Sequence, residues 1–491
     1  MRNRTHSSAY DPISAALEPP LNETEDARQA RVAAETKATQ ISEQIDAQIE
    51  KDRVAQRRAP RAVKVLLLGA FLSARKSTTL KNFQLMASPK AFRSERVIWR
   101  AVIQLNVVRS IHLILNLMTE AHAQQTHLQN TGFHRPSTAD TSFGKRPVLP
   151  RLSSEHLRLK IRLSPLVQVE EALVRRLQLS SGHDGPVASN DAQEHLSKEV
   201  AVHSSSGWKG NFVARILSKR RDSTTEEDDD GDGIDWNDPD DPGRIIHACG
   251  EDMIHLWEDP VVRQLLDVNQ VRLQDMSGFF LDSLDRVTSQ RYVPSDDDIL
   301  RARIKTLGIS EYRFTLETTG NVLERQWLVY DVGGHRSLVP KWAPYFDDLN
   351  AIIFLAPISC FDQVLEEDER VNRLEDSVNL WKSIVSNRLL AKTNMILFLN
   401  KCDILRQKLA SGVVFGKYIT SYGTKRPNDF ESTATYLMRK FQGIFNESSP
   451  EKRPFFCNFT SVTDTRATHN ILRDVTEIVL RENLNKSALV I

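Results

Sequence analysis

The sequence predicts an α/β fold: a mostly parallel sheet that is interrupted, after its first strand, by a long helical insertion. Two observations carry that prediction. Short apolar runs at Trp327–Val332, Ala351–Ala356, Met395–Leu399 and Phe455–Thr460 are separated by helix-length polar segments, the texture of strands covered on both faces by the intervening helices. A run of the same kind, Lys64-Val-Leu-Leu-Leu-Gly69, stands far upstream of them, and the text from about Phe92 to Pro294 is largely helical. The early strand belongs with the later ones, so the helical text interrupts the sheet and does not precede it.

Composition narrows the class. A chain of 491 residues exceeds one ordinary core, so two folded parts with tails are expected. The formal net charge of +1 gives no global electrostatic case for nucleic acid or an acidic membrane. Four scattered cysteines, Cys249, Cys360, Cys402 and Cys457, have neither metal spacing nor a disulfide framework. The longest apolar runs, such as Val63–Gly69 and Ala351–Pro357, are strand-sized and far short of a membrane span, and Met1-Arg-Asn-Arg-Thr has no apolar segment behind it. A soluble intracellular protein is expected.

In chain order, residues 1–20 are expected to be disordered, ending at Pro19-Pro20. Asn22–Arg58 reads as a long charged helix with Ile41, Ile45 and Ile49 at four-residue spacing. That narrow stripe fits a tether on its own domain and a partner-binding helix equally well. A helix follows the first strand from Thr78, and Val97–Glu120 and Ser277–Val287 are the clearest helical stretches of the insertion. Between those two lies a poorly periodic segment, roughly 122–242, rich in Ser, Asn, His and Pro, part of which is expected to be disordered. Near its end Asp228, Asp230 and Asp232 precede Gly233 as in a calcium loop, but the twelfth position is Pro239 and not the bidentate glutamate that calcium requires. A solvated acidic linker is the expectation. The organisation is therefore an N-terminal tail and helix (1–60), a first sheet segment (61–91), an inserted helical domain (92–295) and a second sheet segment (296–491).

Chemistry concentrates where these strands end. Strand, turn, Lys76, Ser77, helix is the plan of a phosphate loop, in which backbone amides cradle phosphates, the lysine reaches the β- and γ-phosphates and the hydroxyl holds Mg²⁺. The standard spacing is G-x-x-x-x-G-K-[ST], whereas this text is Gly69-Ala-Phe-Leu-Ser-Ala-Arg-Lys-Ser77. Counted from Gly69 there is one residue too many, and the second glycine is missing on either count. Taken alone, it favours an ordinary strand-to-helix turn. The later signatures change that. Asp331-Val-Gly-Gly334 closes a strand, which suits a carboxylate reaching Mg²⁺ through water and a glycine amide touching the γ-phosphate. Asn400-Lys401-Cys-Asp403 closes another, where Asp403 would accept hydrogen bonds from guanine N1 and N2, groups that adenine does not offer in that pattern. Thr460-Ser-Val-Thr463 follows a third and would supply backbone amides for the guanine carbonyl. A lone N-K-x-D is common by chance; at a strand end, in this order and at this distance, it is a strong signal.

These motifs, with Thr79-Leu-Lys-Asn-Phe-Gln-Leu, Asp298-Ile-Leu-Arg-Ala-Arg-Ile-Lys-Thr-Leu-Gly-Ile, Asp331-Val-Gly-Gly-His-Arg-Ser, Lys341-Trp342, Leu365-Glu-Glu-Asp-Glu-Arg-Val-Asn-Arg and Ile396-Leu-Phe-Leu-Asn-Lys-Cys-Asp, mark a family. The chain resembles the α subunits of heterotrimeric G proteins, particularly long fungal forms, over about 22–120 and 250–491. The resemblance implies a Ras-like P-loop GTPase sheet domain with an inserted all-helical domain, and GTP or GDP held between them with Mg²⁺. It assigns Arg303 as the arginine that offsets charge on the transferring phosphoryl group. Ser77, Thr306 and Asp331 become the magnesium ligands, while Gly69, Lys76, Ser77, Thr78, Gly334, Asn400, Lys401, Asp403, Thr460 and Thr463 become nucleotide contacts. Switch segments would lie near 301–309, 333–346 and 361–372. The implied partners are a βγ dimer, facing the N-terminal helix and second switch, a seven-helix receptor, facing Leu484–Ile491, and a downstream effector.

The sequence departs from the family pattern at three places. His335 stands where the family has the glutamine that orients the attacking water, so slow hydrolysis is expected. The phosphate loop lacks glycine where φ > 0 and close phosphate approach are needed, which weakens binding. Arg2 stands where myristoylation needs glycine, so membrane contact is expected to come through partners at the inner face of the plasma membrane. Two functions are compatible with this text: a G-protein α subunit that relays receptor signals by a slow GTPase cycle, and a nucleotide-poor relative that acts as a binding module.

Overall fold

The computed structural model describes residues 24–58, 62–69, 76–130, 149–180, 201–203, 209, 238, 241–269, 271–276, 278–307, 309–316, 325–332, 349–365, 368–461, 470 and 473. They form two compact units, 1–61 and 62–491. The described residues of the first unit form a helix, α1 (Glu25–Arg58), on which Ile41, Ile45 and Ile49 are about half exposed.

In the second unit a six-stranded sheet runs in the order β4-β5-β1-β6-β7-β8. Its strands are β1 (Val63–Gly69), β4 (Ile309–Leu316), β5 (Arg325–Val332), β6 (Ala351–Pro357), β7 (Asn394–Asn400) and β8 (Phe455–Thr460). All neighbours are parallel except β4, which pairs antiparallel with β5 at the edge. β6 and β7 are buried at every position, which is why they read as unbroken apolar runs and not as alternating ones. Successive side chains feed opposite faces. Leu66, Leu68, Ile352, Phe354, Met395 and Leu397 meet Trp381 and Phe441 on one side. Val65, Leu67, Ile353, Leu355, Ile396 and Phe398 meet Leu80 and Phe83 on the other.

The helices that cover the sheet are set by caps as well as by apolar stripes. α2 (Lys76–Ala87) covers the Phe83 face. α12 (Arg373–Val385) and α15 (Phe430–Ser448) cover the other, where the Trp381 indole donates to the Phe441 carbonyl at 3.0 Å. Asn372 begins α12 by accepting from the amides of Leu374 and Glu375, satisfying donors that have no partner inside the helix. α13 (Cys402–Ala410) and the single turn α14 (Phe415–Tyr418) fill the corner after β7.

Between α2 and β4 most of the described residues are helical: α3 (Pro89–Ser94), α4 (Arg96–Asn130), α5 (Ser154–Arg162), α6 (Leu166–Ser180), α7 (Pro242–Ala248), α8 (Gly250–Glu258), α9 (Pro260–Val268), α10 (Leu284–Val287) and α11 (Asp296–Arg301). Two three-residue strands, β2 (Ala201–His203) and β3 (Lys305–Leu307), pair in parallel beside them. The core of this part gathers around α4, whose Val102, Ile103, Val107, Val108, Ile111 and Ile114 are fully buried. Residues Arg96–Thr126 of α4 are long and apolar enough to cross a membrane by length and composition, a stretch the reading of uninterrupted runs overlooked. With 61% of its most apolar window buried, the packing of a bundle centre accounts for the apolarity.

Three sequence expectations change here. The segment 122–242, read as poorly periodic, contains the end of α4 and all of α5 and α6; Leu166, Val169, Leu173 and Leu177 of α6, with Leu163 between the two helices, join the core. Loop-like composition on either side masked their helical spacing. Ser277–Val287, read as helix, forms only the one-turn α10 and a 3₁₀ turn at Leu281–Ser283, because Gly278 is held at φ 82°. The edge strand β4 was not anticipated, although Ile309–Leu316 has the alternation of a half-covered strand. The acidic run at 228–237, the tail at 1–20 and the C-terminal residues Leu484–Ile491 lie outside the described residues.

The return from helices to sheet is anchored at Asp298. It closes a reciprocal cap with Ser295 at the start of α11 and accepts two bonds from Arg286, at 2.6 and 2.7 Å. Burial pushes its carboxyl up, but Arg286 and the Ser295 bonds hold it below the ordinary value. A depressed folded pKa stabilises above the unfolded value, near 3.8, and the stabilisation is lost as pH falls through the folded one. Asp298→Asn is therefore expected to cost about 1.5–3 kcal/mol at neutral pH. In urea unfolding the gap between the two proteins should close below pH 3.8.

Candidate functional site

In an open parallel sheet the crevice for a ligand lies beyond the carboxyl ends of the strands, where the chain leaves in opposite directions. Here β1 sits between β5 and β6. The carboxyl ends carry the residues singled out by the sequence: Gly69 on β1, Asp331 on β5, Asn400 on β7 and Thr460 on β8. The register aligns them, with Leu67 opposite Asp331 and Asn400 opposite Thr460.

At one end of this edge the part-buried Lys76 ammonium acts on the buried Asp331 carboxylate. α2 begins at Lys76, so Lys76, Ser77 and Thr78 form its first turn, where backbone amides lack helical partners and favour an anion. The Lys76 ammonium donates to the Gly69 carbonyl at 3.3 Å. Burial lowers its pKa, opposed by the charge of Asp331. Burial raises the Asp331 carboxyl to about 6, against the pull of Lys76 and a hydrogen bond from Ser77. One ammonium and one hydroxyl thus do not supply enough positive field to keep this carboxylate in its ordinary range. A divalent cation there would supply it, so the donor set of Asp331 and Ser77 fits Mg²⁺.

The same helix is fastened to the end of the helical part. The Thr78 hydroxyl donates to the Leu300 carbonyl at 3.1 Å. Lys81, one turn on, donates to the carbonyls of Ile299 and Ala302 at 2.7 and 2.6 Å and lies 3.9 Å over the Trp99 ring. Burial, with the nearby Lys209 ammonium, holds the Lys81 pKa well below its ordinary value. Arg303 follows directly, half-buried, its main chain bonded to the Asn106 side chain. Thr306 lies on β3 opposite Val202 of β2, and its side chain is outside the described atoms.

At the other end the backbone is strained. Lys401 has φ 65° and ψ 40°, the one non-glycine residue with positive φ among the described residues. Such a conformation costs roughly 1–3 kcal/mol and persists where its surroundings impose it. Here the Lys401 amide donates to Asn400 Oδ1 at 2.7 Å, and the turn delivers Asp403 into the first turn of α13. Asp403 Oδ1 and Thr460 Oγ1 are buried without a hydrogen-bond partner among the described residues. A buried carboxylate oxygen left unpaired costs about 1–3 kcal/mol or more, and a base edge that donates hydrogen bonds would satisfy it.

The structure thus brings Gly69, Lys76, Ser77, Thr78, Asp331, Asn400, Lys401, Asp403 and Thr460 to one sheet edge and its adjoining helix ends, with Arg303 next to α2. The loop residues 70–75, Gly334, His335, Thr463 and the second switch segment 333–346 lie outside the described residues. Sequence reasoning missed Lys81, Asn106 and Gly278, which act through long-range contacts that no local pattern announces. Asp403→Asn replaces an acceptor by a donor. The variant is expected to lose guanine-nucleotide affinity by on the order of a hundredfold and to gain preference for xanthosine triphosphate, whose 2-carbonyl matches an amide. Competition binding with the two nucleotides reads this directly.

A family model described as the G-protein alpha subunit matches residues 39–479. Among curated proteins, the guanine nucleotide-binding protein alpha-4 subunit of Mycosarcoma maydis is 31% identical over 563 aligned positions, covering 98% of this chain and 96% of the relative. The alpha-16 subunit of Caenorhabditis elegans is 35% identical over 239 positions, 48% of this chain and 64% of the relative. The alpha-2 subunit of Caenorhabditis briggsae is 35% identical over 251 positions, 50% of this chain and 67% of the relative. The family and the sheet with its helical insertion agree with a Ras-like domain carrying a helical domain. The chain belongs to the G-protein alpha subunit family.

Proposed function

We propose that this α subunit is a GTP/GDP switch that relays seven-helix receptor signals through a βγ dimer and a downstream effector, and that it hydrolyses GTP slowly. The observation that carries the reading is the joint presence, on one sheet edge, of the electrostatically incomplete Asp331–Lys76 pair and the unpartnered Asp403 oxygen. One end is short of positive charge and the other is short of a donor, and a magnesium-bound guanine nucleotide offers both.

In this reading Asp403 selects the base, with Asn400 and Lys401 shaping its turn and the backbone at Thr460 and Thr463 meeting the guanine carbonyl. Lys76 and the amides of Ser77 and Thr78, with Gly69 and Gly334, hold the phosphates. Ser77, Thr306 and Asp331 would hold Mg²⁺, which when bound neutralises phosphate charge. Arg303 offsets the charge that develops on the transferring phosphoryl group. His335 orients the attacking water less well than glutamine, because a rigid imidazole cannot present a donor and an acceptor in the amide geometry. Attachment to the inner face of the plasma membrane through the partners belongs to the same proposal. A second reading, a nucleotide-poor module that binds βγ or an effector, is favoured by one observation, the absence of a second glycine in Gly69-Ala-Phe-Leu-Ser-Ala-Arg-Lys-Ser77.

His335→Gln tests the hydrolysis claim. Single-turnover hydrolysis of preloaded GTP should accelerate by about tenfold or more, a barrier change of about 1.4 kcal/mol. Equal rates in the two proteins contradict slow hydrolysis through His335.

A further inference from the structure

The geometry points to Asn106 and Gly278 as positioning residues for Arg303: a side-chain clip from the central helix of the helical part fixes the main chain of the residue that meets the transferring phosphoryl group. The inference rests on the GTPase reading of Arg303. Asn106 lies on α4, and its amide grips both polar groups of one residue. Asn106 Nδ2 donates to the Arg303 carbonyl at 2.8 Å, and the Arg303 amide donates to Asn106 Oδ1 at 2.8 Å. A primary amide is the side chain suited to this, since it offers a donor and an acceptor in one plane at the spacing of a peptide. Asp or Ser would lose one half of the grip, and Gln would overshoot it.

An independent feature shows the space that the clip needs. Gly278 has φ 82°. A Cβ there would stand 2.6 Å from Asn106 Oδ1, 2.9 Å from its Cγ and 3.2 Å from the Arg303 Cβ. Glycine is required twice over, by the left-handed backbone and by the approach of Asn106 and Arg303. The position lies far from Arg303 in the chain, in a turn where the sequence alone suggested helix.

Upstream, Thr78 and Lys81 fix the carbonyls of Leu300, Ile299 and Ala302 to the helix that begins with Lys76. The segment that leads to Arg303 is therefore referenced to the phosphate end of the site through α2, and Arg303 itself is referenced to the helical part through Asn106. A group that acts on a developing charge loses much of its effect when displaced; a misplacement of about 1 Å costs on the order of a hundredfold. The clip spends two hydrogen bonds on removing that freedom.

The test compares Asn106→Ala, Arg303→Ala and the double variant with the unaltered full chain. Three quantities are read: single-turnover GTP hydrolysis, equilibrium binding of a non-hydrolysable GTP analogue, and amide hydrogen exchange at Arg303. The inference predicts that Asn106→Ala slows hydrolysis by about tenfold or more, changes analogue affinity by less than about threefold, and speeds exchange at the Arg303 amide. The double variant should be no slower than Arg303→Ala, because both changes remove the same effect. Gly278→Ala, if it folds, should reproduce the slow hydrolysis. Normal hydrolysis in Asn106→Ala overturns the inference, as do losses that multiply in the double variant or slowing without faster exchange at Arg303. If Arg303→Ala itself hydrolyses at the unaltered rate, or the unaltered chain does not hydrolyse GTP at all, the GTPase reading falls and this inference falls with it. That pattern is distinct from an effect seen in Arg303→Ala and absent from Asn106→Ala.

Discussion

A buried ammonium must find acceptors or give up its charge, and in this protein that requirement joins the sheet to its helical insertion. Lys81 is almost fully buried one turn into α2, and its donors go to the carbonyls of Ile299 and Ala302, which end the helical part. Trp99 covers the amine from the start of α4. Three segments distant in the chain thereby meet at one nitrogen. The helix whose first turn carries Lys76 and Ser77 and the linker that carries Arg303 cannot shift independently without leaving that nitrogen unpaired, which is costly in a low-dielectric interior.

The candidate site inherits its precision from this junction and its character from an imbalance of charge. Asp331 is buried opposite Lys76, yet its carboxyl is raised to about 6. Asp403 presents an oxygen with no donor among the described residues. Lys401 holds a left-handed backbone that nothing in helix or strand geometry favours. Each is unfavourable for folding taken alone. Together they form a surface that, in the proposed function, a cation and a base edge would complete, and stability lost at such positions is characteristic of sites that bind.

Much of this was legible in the sequence, for reasons that differ by element. β6 and β7 were readable because strands covered on both faces must be unbroken apolar runs, β1, β5 and β8 were readable as shorter or interrupted apolar runs, and the motifs were readable because they fall where those runs stop. α5 and α6 were not, since their apolar positions are embedded in text rich in polar residues. The turn at Gly278 was read as helix because its reason lies in the approach of Asn106 and Arg303, distant in the chain. At the candidate site, Asp331, Asn400 and Asp403 were singled out by residue type and spacing. The clip by Asn106 and the staple by Lys81 were not, because a side chain that bonds to another segment's main chain carries no spacing rule. His335 and the residues that replace the loop glycines were visible only as departures from a pattern.

The central claim is that this edge holds a guanine nucleotide despite the altered loop at 69–77. Equilibrium titration of the full chain with a non-hydrolysable GTP analogue, with and without Mg²⁺ and with an ATP analogue as competitor, tests it most directly. The account predicts a Kd of about 1 μM or tighter with magnesium, equivalent to about 8 kcal/mol or more, weaker binding without it, and no displacement by the adenine nucleotide. Absence of binding, restored when a glycine-containing loop is rebuilt at 69–77, would contradict the account and make the protein a module that acts through its surfaces alone.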